Sequence, residues 1–138
     1  MGAVSVRDLK MLSASLRHPV YWAGPRAGAV YELTETANGS TYVRYLTRGV
    51  KVGTPKPDFL TIGTYPVPDA VGEIRRAAHQ RGAITLTLKG GAIGFYNRTR
   101  PTSVYFAHPG LSVQVETYDP SAAAARALVL RGAVQPVP

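Results

Sequence analysis

Three turn pairs constrain the fold of this chain more than any other feature: Asn38-Gly39, Gly90-Gly91 and Pro109-Gly110. Each pair lies between two runs in which apolar and polar residues alternate. Alternation with a period of two is typical of half-buried strands, and glycine readily adopts the positive φ that tight hairpins need. The sequence therefore predicts three antiparallel hairpins.

The register of the first hairpin follows from the chemistry of its cross-strand pairs. A three-residue loop over 37–39 places Glu32 opposite Arg44, which is a favourable pair. A two-residue Asn-Gly loop would place Leu33 opposite Arg44 instead. We therefore predict the three-residue loop, with Gly39 in the left-handed conformation.

The other two hairpins have registers set by their turns. A two-residue Gly90-Gly91 turn predicts that Leu86 and Phe95 share one face of the second hairpin. A turn near Pro109-Gly110 groups four apolar side chains on one face of the third hairpin: Val104, Phe106, Val113 and Val115.

Capping signals predict three helices. A Ser-x-x-Asp motif followed by leucines at helical spacing indicates a helix over 6–17. Pro68 suits the first turn of a second helix that extends to about Arg81. Asp119-Pro120 is expected to open the last helix as N-cap and first-turn proline, and Gly132 is expected to end it.

Together these signals predict a single globular domain over 1–138. We expect an α+β fold, with an antiparallel sheet of about six or seven strands built from hairpins. Most of the three helices should pack on the apolar face of this sheet. The C-terminal tail, 133–138, can pair as a short strand.

Composition excludes several classes of site. The chain has no cysteine, so disulfides, thiol catalysis and zinc-thiolate sites are ruled out. His18, His79 and His108 do not have the spacing of a helical metal site, and we expect neither a metal nor a cofactor. No apolar run approaches the roughly 20 residues that span a bilayer, so no membrane-spanning segment is expected.

The charge distribution favours an anionic partner. Sixteen Lys and Arg face eight Asp and Glu, for a formal net charge of +8. Between Glu73 and Glu116 there are six basic residues and no acid. Such a surface attracts an anionic macromolecule, which includes nucleic acid, or an acidic protein. The alternative is a basic surface that only keeps the protein soluble.

Five residues of this acid-free stretch are the candidate binding residues. Lys89, Arg98 and Arg100 are predicted to bind an anion, and Tyr96 and Tyr105 to stack on bases or sugars. The alternative is that a helix covers this face, or that tyrosine is present because it is a good strand former.

Function is therefore expected to be binding. We expect a non-enzymatic binding or accessory domain with an anionic or protein partner. The first alternative is a nucleic-acid-binding protein that uses a Tyr/Arg sheet face. The second is a small hydrolase, and no catalytic residue is assigned. A hydrolase would need a pocket holding at least two of four residues: His18, His108, Glu116 and Asp119.

Five short strings, in chain order, resemble a group of bacterial domains. They span residues 19–25, 31–34, 42–46, 60–66 and 118–120. From residue 7 onward the chain resembles small exported or membrane-anchored domains of high-GC bacteria. The resemblance implies an extracytoplasmic location, and it assigns no activity, cofactor or catalytic residue to this chain. The N-terminus lacks a signal-peptide pattern, so we expect an extracytoplasmic location if the resemblance holds and a cytoplasmic one otherwise.

Overall fold

The computed structural model describes residues 2–138, which form ten strands and three α-helices. The strands are β1 (Gly2–Val4), β2 (Tyr21–Trp22), β3 (Ala29–Glu35), β4 (Thr41–Thr47), β5 (Thr61–Pro66), β6 (Ala83–Thr87), β7 (Ile93–Asn97), β8 (Arg100–Ala107), β9 (Val113–Tyr118) and β10 (Gln135–Pro136). The helices are α1 (Val6–Ser15), α2 (Ala70–Ala78) and α3 (Ala122–Leu130). None of these helices is long and apolar enough to cross a membrane.

Eight strands form one antiparallel sheet in the order β1-β3-β4-β5-β9-β8-β7-β6, and β2 pairs with β10 in a separate ribbon. The predicted α+β class with an antiparallel sheet is confirmed, but the sheet has more strands than predicted. β1 contributes to the difference, because three residues are too few for an alternating pattern to be visible in the sequence. The expected pairing of the C-terminal tail is confirmed by β10.

Both faces of the sheet carry apolar packing. On one face, which we call the α3 face, α1, α3 and the β2–β10 ribbon enclose the larger core: Leu9, Trp22, Ile62, Phe106, Leu128 and Val134 are among its buried residues. On the opposite face, which we call the α2 face, Ile74 of α2 packs near Phe95 and Ala107. Two of the three helices therefore lie on one face, as expected, and α2 is the exception.

The first hairpin has the predicted register, and the third has the predicted grouping of apolar side chains on one face. Glu32 lies opposite Arg44, and Gly39 has a φ of +85° in the three-residue loop. In the β8–β9 pair, Phe106 lies opposite Val115. The four apolar residues predicted to share a face in this hairpin all belong to the core of the α3 face.

The second hairpin differs from the prediction by one residue. Both glycines of the Gly90-Gly91 pair have positive φ, +71° and +77°, within a 3₁₀ turn over Lys89–Gly91. The loop therefore has three residues, not two, and Phe95 lies opposite Thr85. Leu86 and Phe95 consequently point to opposite faces, so the prediction that they share a face is wrong.

Sequence alternation does not fix this register, because β7 is covered on both faces. Phe95 packs on the α2 face, whereas Tyr96 packs against the core of the α3 face. A strand that is apolar on both faces lacks the contrast that distinguishes one register from the next.

The first two helices begin at local caps. Ser5 and Asp8 form the predicted capping box at α1, with hydrogen bonds of 2.9 and 3.1 Å. At α2, Asp69 is the N-cap, so Pro68 lies before the helix and not in its first turn. Both helices are shorter than predicted, since α1 ends at Ser15 and α2 at Ala78.

The N-terminus of α3 lies two residues beyond the predicted cap. Ser121, not Asp119, is the N-cap, and its Oγ accepts the N–H of Ala124 at 3.2 Å. Asp119 accepts the N–H of Ser121 at 2.8 Å in the preceding turn, which also contains Pro120. Asp and Ser cap helices about equally well, so propensity alone does not separate them. Gly132 ends the helix as predicted, with a φ of +71°.

Candidate functional site

The three cations predicted to bind an anion lie at the two ends of β7. Lys89 is in the 3₁₀ turn before the strand, Arg98 is in the turn after it, and Arg100 begins β8. All three side chains are exposed. Because β7 has five residues and a strand rises about 3.3 Å per residue, Lys89 lies on the order of 16 Å from the two arginines. The fold brings Arg98 and Arg100 together and separates Lys89 from them.

The two tyrosines predicted to stack on a ligand lie on opposite faces of the sheet. The guanidinium of Arg126 lies 4.8 Å from the Tyr96 ring centroid and donates to the Tyr96 hydroxyl at 3.0 Å. Tyr105 stacks on Phe95 on the α2 face, with ring centroids 5.3 Å apart. Each ring already has an intramolecular partner, so the two do not form one open stacking surface.

One edge of the sheet carries a strand with a single neighbour. β6 is last in the sheet order, and within residues 2–138 it pairs only with β7. Its sequence, Ala-Ile-Thr-Leu-Thr, has neither a charge nor a proline, which natural edge strands often use to prevent further pairing. This feature is not visible in the sequence, because strand order is a property of the tertiary structure.

The pattern of hydrogen bonds between β6 and β7 shows which backbone groups of β6 point outward. The N–H of Leu88 donates to the carbonyl of Ala92 at 3.2 Å. At the far end of the hairpin, the N–H of Arg98 donates to the carbonyl of Gly82, which fits the same alternation. Bonded and non-bonded pairs alternate in an antiparallel ladder, so the even-numbered residues of β6 bond to β7. The N–H and C=O groups of Thr85 and Thr87 therefore point away from the sheet.

Cationic side chains surround this edge. Arg81 precedes β6 and Lys89 follows it, while Arg75 extends from α2 into the groove beside the strand. All three side chains are exposed. Within residues 2–138, every salt bridge involves Arg44 or Arg76, so these three cations have no acidic partner.

The groove beside β6 has a volume of about 240 Å³ and is lined by Arg75, Thr85, Thr87 and Ile93 among others. Its volume is below the range of about 300–1,000 Å³ that is usual for small-molecule sites. A groove of this size next to a strand edge is suited to single side chains of an extended segment.

Three hydroxyl groups converge on Glu116, on the α2 face of the central strands. Tyr65 donates to Oε1 at 2.5 Å, while Ser103 and Tyr105 donate to Oε2 at 2.7 and 3.2 Å. Gly63 lies opposite Glu116, and a Cβ at Gly63 would come within 2.9 Å of the Tyr65 hydroxyl. Glycine at this position therefore allows the Tyr65 ring to reach across the sheet.

The Glu116 network is a structural feature in which the protein satisfies its own polar groups. Burial raises the pKa of Tyr65 above its ordinary value, and the hydrogen bond to Glu116 raises it further. The phenol is therefore kept as a neutral donor. Both carboxylate oxygens of Glu116 accept hydrogen bonds from the chain itself, which favours an anchoring role over that of a general base.

The four residues that a hydrolase would use do not form a set. His18 hydrogen-bonds two backbone carbonyls, and His108 stacks near Tyr21 on the α3 face. Glu116 is on the α2 face, and Asp119 accepts a backbone N–H. No two of the four are hydrogen-bonded to each other in the structure of residues 2–138, so a nucleophile–base–acid arrangement has no support.

Besides the groove beside β6, a pocket of about 210 Å³ with basic lining residues lies at the C-terminal end of α3. Lys89, His108 and Arg131 contribute to its lining. The last carbonyl groups of a helix carry the negative end of its dipole, which disfavours an anion at that place. This pocket is therefore a poorer anion site than the edge of β6.

The described residues contain no group of three or more His, Asp or Glu side chains placed to hold a metal ion. Comparison with protein-family models, with curated proteins and with solved structures found no match. Function is therefore inferred from the geometry of this chain.

Proposed function

We propose that this chain is a non-enzymatic binding domain whose partner is an acidic protein, held at the β6–β7 end of the sheet. The observation that carries the proposal is the uncharged edge strand β6 with exposed, unpaired cations at both ends. An edge strand presents free backbone groups, and unpaired cations attract acidic surfaces. Lys89, Arg98 and Arg100 remain the proposed anion-binding residues, joined by Arg75 and Arg81.

Nucleic acid is the less favoured partner. The same cations would attract phosphates, but binding of single strands usually adds aromatic rings on which bases stack. Tyr105 and Arg100 line a cavity of about 330 Å³ on the α2 face, but Tyr105 stacks on Phe95 there, and Tyr96 is engaged by Arg126 on the opposite face, so the proposed stacking residues present no common surface to successive bases. A cationic surface without a platform on which bases can stack is better suited to an acidic protein than to a nucleic acid.

The proposal is tested with polyglutamate of about 20 residues as the probe, by fluorescence anisotropy at two salt concentrations. The triple variant Lys89→Ala, Arg98→Ala and Arg100→Ala should bind about tenfold more weakly, since three exposed ion pairs contribute about 0.5 kcal/mol each. Its salt dependence should also be flatter. Stability should change by no more than about 0.5 kcal/mol, because these side chains are exposed.

A matched control removes the same charge elsewhere. Arg7, Lys10 and Arg17 are exposed residues in or next to α1, away from β6. The triple alanine variant at these positions should bind polyglutamate nearly as the unmodified protein does. Equal losses in the two triple variants would show that net charge alone attracts the probe and would refute a site at β6–β7. Tighter binding of single-stranded DNA, abolished by the first triple, would replace the acidic protein with a nucleic acid.

A further inference from the structure

We infer that the outer edge of β6 accepts an extended acidic segment of a partner protein as an additional strand of the sheet. This inference rests on the proposed function and deepens it by naming the conformation of the partner and the atoms that it meets. The outward N–H and C=O groups of Thr85 and Thr87 are the hydrogen-bonding groups.

The backbone of β6 is suited to strand addition over a defined length. Thr85 and Thr87 each offer one donor and one acceptor, so up to four backbone hydrogen bonds can form. The N–H of Ala83 already donates to the carbonyl of Gln80 at 3.1 Å, which limits the free ladder at that end. Backbone bonds give affinity without demanding a particular side chain, and the flanking features then select the partner.

Charge selects an acidic segment. Arg81 and Lys89 lie at the two ends of β6, and Arg75 lines the groove on the α2 face. An added strand with acidic residues at both ends would place each acid near a cation. Opposite charges in such positions favour a partner and discriminate against competitors.

A second copy of this chain is a poor occupant of the same edge. An antiparallel pair of β6 strands centred on Thr85 would place Arg81 of one copy opposite Lys89 of the other, at both ends of the pair. Like charges directly opposite each other are destabilising. The same cations that attract an acidic segment therefore oppose self-association through β6.

The groove beside β6 indicates which side chains the added strand should carry. Alternate side chains of that strand would enter the groove, where Ile93 and the threonine side chains of β6 form the wall and Arg75 is the cation. Small apolar or β-branched residues in the middle of the segment, with acids at its ends, match this lining.

The test compares two labelled peptides of about nine residues, a length that exceeds the five residues of β6. The first is Glu-Glu-Val-Thr-Val-Thr-Val-Glu-Glu. The second has proline in place of each valine, which keeps the charge but removes alternate donors. We expect the valine peptide to bind at least about tenfold more tightly, by anisotropy. Equal affinity of the two peptides would overturn strand addition.

A substitution in the protein tests the same hydrogen bonds. Thr85→Pro removes an outward N–H without removing a bond of the β6–β7 ladder, and an edge strand tolerates proline at such a position. We expect about tenfold weaker binding of the valine peptide, while Thr85→Val, which keeps the N–H, should bind it as the unmodified protein does. Unchanged affinity in Thr85→Pro would contradict the inference.

Amide exchange in the unmodified protein gives a readout that does not depend on how the proline variant folds. The valine peptide should slow exchange of the Thr85 and Thr87 amides, whereas the proline peptide, which lacks alternate N–H donors, should not. Protection at other amides but not at Thr85 and Thr87 would overturn strand addition. The proposed binding function would still be supported in that case if polyglutamate binding were lost only in the triple alanine variant at Lys89, Arg98 and Arg100. Protection of both amides in the concentrated protein without peptide would assign the edge to a second copy instead.

Discussion

At the scale of single residues, the ion pair between Glu32 and Arg44 stabilises the first hairpin. Arg44 Nε lies 2.6 Å from Oε1 and Nη2 lies 2.9 Å from Oε2, while the N–H of Gly53 also donates to Oε2 at 2.7 Å. Glu32 is only 2% exposed. The hydrogen bond from Arg44 is the largest influence on the pKa of Glu32 and lowers it below its ordinary value of 4.5.

Removing the cation should therefore be costly. We expect Arg44→Ala to lower the free energy of unfolding by about 3–5 kcal/mol at pH 7, because it leaves a buried carboxylate without its partner. The lowered pKa of Glu32 means that its contribution is present above pH 4.5 and is lost as pH falls through the folded-state pKa. The difference between the variant and the unmodified protein should accordingly shrink in acid.

Urea denaturation at several pH values measures both effects. Arg48→Ala is the control, since Arg48 is exposed and near the same hairpin. Its cost should stay within about 0.5 kcal/mol at every pH. Equal costs for the two variants at pH 7 would show that the ion pair does not stabilise the fold.

At the scale of elements, the N-terminus of α3 depends on Ser121. We expect Ser121→Ala to cost about 1 kcal/mol, because the N–H of Ala124 loses its acceptor. Asp119→Ala should cost less, since Asp119 accepts a backbone N–H in the preceding turn and not within the helix. Thermal or urea denaturation of both variants measures which substitution lowers the free energy of unfolding more. A larger loss for Asp119→Ala would show that Asp119 is the N-cap, as predicted from the sequence.

At the scale of the whole molecule, the C-terminal tail closes the larger core. Val134 and Val137 are each 4% exposed, and the N–H of Val137 donates to the carbonyl of Val20 at 2.7 Å. Deleting residues 134–138 should lower the free energy of unfolding by roughly 3–6 kcal/mol, because two buried valines and the β2–β10 pairing are lost. The deletion should also expose apolar surface that binds a hydrophobic dye.

Deleting Pro138 alone is the matched control for the tail, since this residue is exposed and lies outside β10. Its urea midpoint should equal that of the full chain. If the longer deletion left the midpoint unchanged as well, the tail would not contribute to the core.

The candidate site was predictable only in its composition. The absence of acids around Lys89, Arg98 and Arg100 is visible in the sequence and indicates an anionic partner. The separation of Lys89 from the two arginines follows from the length of β7, whichever register β6 adopts. The opposite orientations of Tyr96 and Tyr105 depend on the pairing of β7 with β8, where Phe95 lies opposite Tyr105 and Tyr96 therefore points to the other face, and the sequence does not show this pairing.

Local signals determined what the sequence could specify by itself. The Glu32–Arg44 register, the Ser5 capping box and the glycine at position 132 each depend on residues within about a dozen positions of one another, where turn geometry and caps act directly. Tertiary structure decided the rest. β5 pairs with β9 across roughly fifty intervening residues, and this pairing helps to leave β6 at the edge. Such an order reflects the packing of whole layers, for which no short stretch of sequence contains the information.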